Sequence, residues 1–460
     1  MPIAQFSGLA SGIDSKSLID AIIEARQLVN DKRRDQISEL SSENDALGEF
    51  NTKLVALNDL IDKFRTANSG GLSKKSTTSD ATVATAVIGS NATNASYGLT
   101  VTDIANASTG SFTNSYSSTG SFVSTAGSGN VTVTVGLGAD QVVINSAVTQ
   151  NSTTLEQLVA DINSDPAAAG RVSAAAVNVG TTASPSYKLV FTPLEQGTAQ
   201  GTLALSADPS MTELATTDID PATDADFSIA GVGSILRSTN SVDDVISGIT
   251  FSLHKAGSAT IGVTDDTDTT SDKIQEIVSA YNELVKYIAD NDTVEQDENS
   301  ADGNIIYGTL AKTRVDNDFL SIFRSNLSTA TSATGTAVRS LAEMGVSTNR
   351  DGTLAFDTDA FKDAVNSDAV GVGEVLNDFA DQVSGVSGTI YQYTKFDGFV
   401  DVAEKSNQSE IDNLNTTIEA LNRQTDKLKE RLTRQFSNLE SVTSRLQSSQ
   451  QALTGILSSL

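Results

Sequence analysis

One histidine, no cysteine and no tryptophan limit the chemistry open to this 460-residue chain. Thiolate metal sites, Cys nucleophiles and disulfides are excluded outright. Any histidine-based triad would have to use His254. It lies in Thr250-Phe251-Ser252-Leu253-His254-Lys255, an alternating strand pattern that puts it on the polar face, and it reads as a surface residue. The densest carboxylate runs are Asp265-Asp266-Thr267-Asp268 and Asp290-Asn291-Asp292. Such runs can hold Ca²⁺ weakly, but neither has the glycine and terminal glutamate of an EF-hand, so they read as solvated loops. Gly136-Leu137-Gly138 lacks the third glycine and acidic partner of a dinucleotide fingerprint and reads as a turn. Gly8-Leu9-Ala10-Ser11-Gly12 has GxxxG spacing but no apolar run of about 20 residues around it, which leaves a tight turn before a helix. Sequons such as Asn91-Ala92-Thr93 are expected by chance in a chain so rich in Ser and Thr. The residues therefore point away from an enzyme and imply no cofactor and no metal.

What remains is architecture. Hydrophobic residues make up 38 % and aromatics 5 % of the chain, which predicts small cores rich in Ala, Val and Thr. The net charge of −28 is unevenly spread. Residues 1–70 carry 11 acids and 8 bases, residues 401–460 carry 8 and 7, and residues 71–400 carry 39 and 15. An acidic middle repels phosphate backbones and anionic lipid, so neither nucleic acid nor a membrane surface is an expected partner. Near-neutral ends can pack against copies of themselves. The start, Met1-Pro2-Ile3-Ala4-Gln5-Phe6-Ser7, has no basic and apolar regions of a secretory signal. No stretch approaches the ~18 apolar residues of a membrane span. Export, if it occurs, is expected to use another route.

The six prolines all lie at or before Pro221. From about Ser17 to Phe64 the pattern is helical, opened by Ser17-Leu18-Ile19-Asp20 in capping-box form. Leu47, Phe50, Leu54, Leu57, Ile61 and Phe64 recur at steps of three and four, and Asn68-Ser69-Gly70-Gly71 stops the run. From Leu72 to Asp268 alternating runs such as Val131–Val135, Tyr187–Phe191 and Thr202–Leu205 predict strands. One helix, opened by Thr153-Thr154-Leu155-Glu156 and running to about Asn163, interrupts them. Segments 108–130 and 206–225 read as loops bracketing one β-rich part inserted into another. Residues 272–290 return to helix, with Ile274, Ile277, Val278, Tyr281, Leu284, Val285 and Ile288 on one stripe. The clearest signal comes last. Ile411, Leu414, Ile418, Leu421, Thr425, Leu428, Leu432, Gln435, Leu439, Val442, Leu446, Ser449, Leu453, Ile456 and Leu460 follow 3-4 spacing throughout, with Thr425, Gln435 and Ser449 as polar exceptions. Such a helix spans roughly 75 Å at 1.5 Å per residue and cannot bury its stripe alone. The expected fold class is α+β and multidomain. Both termini form an antiparallel coiled-coil stalk that carries β-rich head domains, one inserted in another.

Several blocks resemble bacterial flagellar filament cap proteins, the flagellar hook-associated protein 2 or FliD family. They are Phe6-Ser7-Gly8-Leu9-Ala10-Ser11-Gly12-Ile13-Asp14 with Ser17-Leu18-Ile19, Val242–Leu253 with Ala259–Asp265, and Tyr281-Asn282-Glu283-Leu284. Leu341–Val346 with Asp351–Asp357, and Arg431–Glu440 with Leu439 where the family usually has Met, complete the order. Nothing in residues 75–230 resembles the family. The resemblance implies export unfolded through the flagellar type III apparatus with a cytoplasmic chaperone, and an extracellular location at the distal filament tip. It implies a ring homo-oligomer, with five copies favoured over four or six, whose partners are flagellin and hook-filament junction proteins. The ring would promote flagellin folding and polymerisation and prevent loss of monomers. Adhesion to host surfaces is also associated with the family.

The expected division is 1–40, an N-terminal leg; 41–71 with 272–410, a helical bundle; 72–107 with 226–271, a β-rich head; 108–225, an inserted outer head; and 411–460, a C-terminal leg. Expected assembly contacts are Phe6, Leu9, Ile13, Leu18, Ile22, Leu428, Leu432, Phe436, Leu439, Val442, Leu446, Leu453, Ile456 and Leu460. Deleting 411–460 is expected to leave a folded head that cannot cap. Two other readings stand beside this one: another axial protein (a hook-filament junction protein or flagellin), and a secreted adhesin whose acidic head does the work.

Overall fold

A computed structural model describes residues 14–68, 70–296, 305–329 and 336–457. The chain divides into two compact units, one formed by residues up to Gly71 and from Ser271 onward, the other by Leu72–Thr270. The helices among the described residues are α1 (Ser15–Asp62), α2 (Leu155–Ser164), α3 (Gly197–Gly201), α4 (Thr267–Asn291), α5 (Val315–Leu327), α6 (Thr358–Ser384), α7 (Thr389–Thr394) and α8 (Phe399–Leu457).

The first unit is helical. α1 begins earlier than the capping-box pattern indicated. Asp14 is the N-cap, and its carboxylate accepts from the Ser17 N–H at 3.1 Å and the Ser17 hydroxyl at 2.6 Å. Ser17 is thus a donor inside the first turn, because the ionised Asp14 is the stronger acceptor for the open helix end. These hydrogen bonds hold the Asp14 carboxyl below its usual range. The stripe Leu47, Phe50, Leu54, Leu57 and Ile61 is fully buried, as are Tyr281 and Leu284 of the α4 stripe.

The core of this unit holds an aromatic cluster among its aliphatic side chains, where the average composition suggested small cores rich in Ala, Val and Thr. Phe50 meets Phe319 edge-on at 5.9 Å, and Tyr281 stacks on Phe323 at 4.9 Å. Phe319 meets Tyr393 edge-on at 5.2 Å, and Phe323 meets Phe379 at 5.9 Å. The few aromatics of the chain are concentrated here, so a whole-chain percentage hid them.

The second unit is antiparallel β. A five-stranded sheet runs in the order Lys74–Thr78, Gly257–Asp265, Ala95–Asp103, Ala225–Ile229, Gly233–Arg237. Ser241–Ile246, Ile249–Leu253 and Ala84–Ile88 form a three-stranded sheet, and both sheets contribute to one core that includes Leu99, Phe227, Phe251 and Ile261. A second core, including Phe112, Val133, Ile144, Leu158 and Phe191, is built from residues between Phe112 and Leu214. Its cap on α2 is a true box shifted one residue from the expected one. Thr154 accepts from the Gln157 N–H, and Gln157 accepts from the Thr154 N–H at 2.9 Å. The expected loops at 108–130 and 206–225 contain strands Thr109–Phe112 and Thr217–Asp220, which pair with each other. Neither four-residue strand shows a clear apolar alternation, so pattern reading passes over them.

Candidate functional site: an assembly surface on the terminal helices

The chemistry-bearing residues singled out in the sequence take structural roles. His254 is exposed just past the strand Ile249–Leu253, with its Nε2 3.1 Å from the Thr85 hydroxyl. Asp265 pairs with Lys74 at 2.5 Å, and the Asp266 carboxylate accepts from the Thr269 N–H and hydroxyl in the first turn of α4. Gly136 and Gly138 take φ of 79° and 60°, the left-handed geometry of a turn. Among the described residues no group of three His, Cys, Asp or Glu side chains could hold a metal ion, and no helix is long and apolar enough to cross a membrane.

The terminal helices form the surface of interest. The Asn30 amide donates to the Asn422 side-chain oxygen at 2.8 Å, and the Asn407 amide donates to that of Asn44 at 3.0 Å. Rising α1 numbers meet falling α8 numbers, so the helices run antiparallel. Ile19, Ile23 and Asn30 of α1 and Ile411, Ile418 and Thr425 of α8 are buried in the seam. Polar layers interrupt this apolar seam. A buried hydrogen-bonded Asn in a coiled coil lowers stability but fixes register, because a slipped helix would strand the amide. The sequence reading overlooked all four asparagines, since an apolar periodicity skips polar positions.

By this register Ser15 lies opposite residues around Phe436 of α8. The described part of α8 continues for about 30 Å beyond that point, at 1.5 Å per residue. Burial falls along the way. Leu428, Leu432 and Phe436 are half-buried. Leu439, Val442, Leu446 and Leu453 are 47 %, 55 %, 65 % and 60 % exposed. On α1, Leu18 and Ile22 are exposed while their neighbours Ile19 and Ile23 are buried. Phe6, Leu9, Ile13 and Leu460, and the side chain of Ile456, lie outside the described residues.

Two details of the heptad reading need correction. Gln435 is exposed while its neighbour Phe436 is half-buried; Ser449 is exposed as well, so Thr425 is the only buried one of the three polar exceptions. Ile411 and Ile418 pack into the seam, so a deletion from 411 would also uncover α1. The exposed ion pairs Arg423–Glu419 at 3.5 Å and Arg434–Glu430 at 3.1 Å lie along α8 and contribute little to stability.

Two blocks that are far apart in sequence meet in space. The Asn282 amide donates to the Leu354 carbonyl at 2.8 Å and accepts from its N–H at 2.7 Å. The Tyr281 hydroxyl donates to the Gly352 carbonyl at 3.2 Å. Tyr281-Asn282 therefore holds the hairpin Val346–Thr348/Leu354–Phe356, whose flanking glycines Gly345 and Gly352 have φ of 85° and 84°.

A family model described as the flagellar hook-associated protein 2 N-terminus matches residues 11–108, and one described as its C-terminus matches 222–448. The A-type flagellar hook-associated protein 2 of Pseudomonas aeruginosa is 26 % identical over 485 aligned positions, covering 99 % of this chain and 97 % of that protein. The flagellar hook-associated protein 2 of Escherichia coli K12 is 26 % identical, covering 97 % of this chain and 96 % of its own. The crystal structure of the D1-D2-D3 domains of the E. coli flagellar cap protein FliD shares the fold, with a TM-score of 0.59 at 23 % identity over 80 % of this chain and 99 % of that one. The segment between the two matched regions is the one built around the second β core. Matched in order at both ends and along nearly its whole length, the chain belongs to the flagellar hook-associated protein 2 family.

Proposed function

We propose that this protein is the structural cap at the distal end of the bacterial flagellar filament. Its copies form a ring, and the terminal helices of each copy contact flagellin as new subunits fold beneath it. The observation that carries this reading is the apolar stripe Leu439, Val442, Leu446 and Leu453, about half exposed or more where α8 continues past the described part of α1. A stripe of this kind is stable in water only when another helix covers it. The near-neutral ends, with 11 acids to 8 bases and 8 to 7, let copies and flagellin approach without strong repulsion.

In this reading the protein is extracellular and leaves the cell unfolded through the flagellar type III apparatus, aided by a chaperone. It passes the hook-filament junction proteins to reach the tip. Residues 1–40 and 411–460 serve as legs, 41–71 with 272–410 as the bundle, 72–107 with 226–271 as the inner β part and 108–225 as the outer one. Five copies make the ring.

The test replaces Leu439, Val442, Leu446 and Leu453 with Ser in a strain lacking its own copy. All four are exposed, so the thermal melt of the purified variant should match that of the parent. Flagellin should then appear in the medium as monomer, with few filaments on cells. Normal filaments with the variant present at its usual level would defeat the reading.

A further inference from the structure

A second exposed apolar feature lies away from the seam, where α5, α7 and α8 meet. An open pocket of about 250 Å³ is lined by Val315, Asp318, Ser321, Ile322, Tyr393 and Phe399. Ile322 and Phe399 are exposed although both are large and apolar. The Phe399 ring lies 4.9 Å from that of Tyr393, tilted by 55°, and Tyr393 is fixed from another side by Phe319. The aromatic pair is thus rigid and partly uncovered.

The pocket is also negatively charged and unbalanced. Asp318 makes no ion pair and no side-chain hydrogen bond among the described residues; Arg314, one turn earlier, makes no ion pair with it. Lys405 on α8 is occupied by Asp397 at 2.6 Å and Asp401 at 2.9 Å. Asp316 on α5 is buried with neither carboxylate oxygen partnered. The Tyr393 hydroxyl is pushed up to about 12, by burial first and then by the charges of Asp318 and Asp316.

An aromatic face beside an unpaired carboxylate is complementary to a cation with an apolar stem. A planar guanidinium suits it better than an ammonium, because it can lie on a ring and still donate sideways to a carboxylate. We propose that this pocket receives an arginine side chain of a partner protein, with the guanidinium on Phe399 and paired to Asp318, and the stem against Ile322. Such a contact would anchor the helical unit to a neighbouring chain at a point separate from the α8 stripe.

The test uses the full chain with Ile, Tyr and Phe side chains isotopically labelled, titrated with N-acetyl-arginine amide. The neutral isostere N-acetyl-citrulline amide serves as the control. Saturable shifts should appear at Ile322, Tyr393 and Phe399 with the arginine amide, half-complete at about 10–100 mM, the range for one cation–π and one ion-pair contact. Citrulline should leave them unmoved. Asp318→Asn, at an exposed position, should keep the parent melt and weaken binding about tenfold, and Asp318→Glu should retain most of it. No shifts in the parent, equal shifts with citrulline, or an unchanged titration in Asp318→Asn would each overturn the proposal. None of these readouts involves flagellin, so failure here leaves the capping reading standing, and failure of capping leaves this site testable.

Discussion

Truncating Asn422 and replacing Asn30 should shift stability in opposite directions. Asn30 is 2 % exposed, and its amide nitrogen donates to Asn422 at 2.8 Å, while Arg33 donates to its side-chain oxygen at 3.3 Å. Asn422 itself is exposed. In Asn422→Ala the Asn30 donor loses its acceptor inside the seam. Leaving a buried donor unpaired costs about 1–3 kcal/mol, and water entering from the exposed α8 side places the cost near the lower end. With a urea m-value of about 2 kcal/mol/M, the helical unit should lose roughly 0.5 M in its midpoint. Asn30→Leu removes the buried group instead. Its former partners, the exposed Asn422 and the half-buried Arg33, can both bond to water, so no fully desolvated group is stranded, and a leucine in the seam contributes about 1–2 kcal/mol of burial. That midpoint should rise by a similar 0.5 M. Far-UV circular dichroism at 222 nm during urea unfolding follows the helices selectively. A loss of comparable size in both variants would refute the reasoning, because it would mean that the hydrogen bond itself, and not the stranding of one partner, governs the seam.

Three further predictions concern single residues of the two units. The Asp316 carboxyl is raised to about 6 by burial, assisted by Asp292 and Asp318, so its contribution is full below about 3.8 and is lost as pH rises through 6. Asp316→Asn should raise the melting temperature of the helical unit at pH 7, with the gain shrinking toward pH 4. Glu213 runs the other way. Hydrogen bonds from Thr125 and Ser124 hold it at about 2, so its contribution is present above 4.5 and is lost as pH falls toward 2. Glu213→Gln should destabilise the β unit at pH 7 and make no difference at pH 2; differential scanning calorimetry across that range reads both variants, and parallel pH profiles would contradict the assignment. Gly352→Ala should cost about 1–3 kcal/mol through its φ of 84°, with the new Cβ 2.1 Å from an Arg324 nitrogen. Arg324→Ala in the same background should relieve the clash but not the backbone strain, so a full recovery of the melting temperature would disprove the conformational part.

Legibility in the sequence depended on how each element stores its information. The α8 stripe was readable because its burial is periodic, and the α4 stripe for the same reason. The slip at Gln435 has a geometric cause. A straight helix has 3.6 residues per turn, so a strict 3.5 repeat drifts by about 20° per heptad unless a partner winds it back. Such drift fits the exposure of Gln435 and the half-burial of its neighbour Phe436. The Asn layers stayed hidden because each needs its partner some 360 to 390 positions away, and only the fold brings the two amides together. The aromatic core failed a composition argument for a similar reason: Phe50, Tyr281, Phe319, Phe379 and Tyr393 are scattered in sequence and gather only when five helices pack. The N-cap was misplaced by three residues because Asp14 and Ser17 both suit the role, and charge decides between them.

The seam grades from tight to open along its length, and this follows from which residues fill it. At the Leu47–Ile61 end, α1 is sealed by fully buried aliphatic and aromatic side chains. Next comes the Asn44–Asn407 layer, then the Asn30–Asn422 layer near Thr425, and finally the stripe from Leu439 that nothing described covers. Each polar layer replaces apolar burial with a hydrogen bond whose net contribution is smaller, so the free energy of local opening should fall stepwise toward the end of α8. A uniformly apolar seam of the same length would be stable to its tip and would hold any partner it met too tightly to release. A seam polar throughout would not form. In the capping reading, the end nearest the bundle stays fixed in register while the stripe from Leu439 is covered by whatever chain it next contacts, at an entropic cost that keeps the contact reversible. An assembly that must grip and release repeatedly requires that combination.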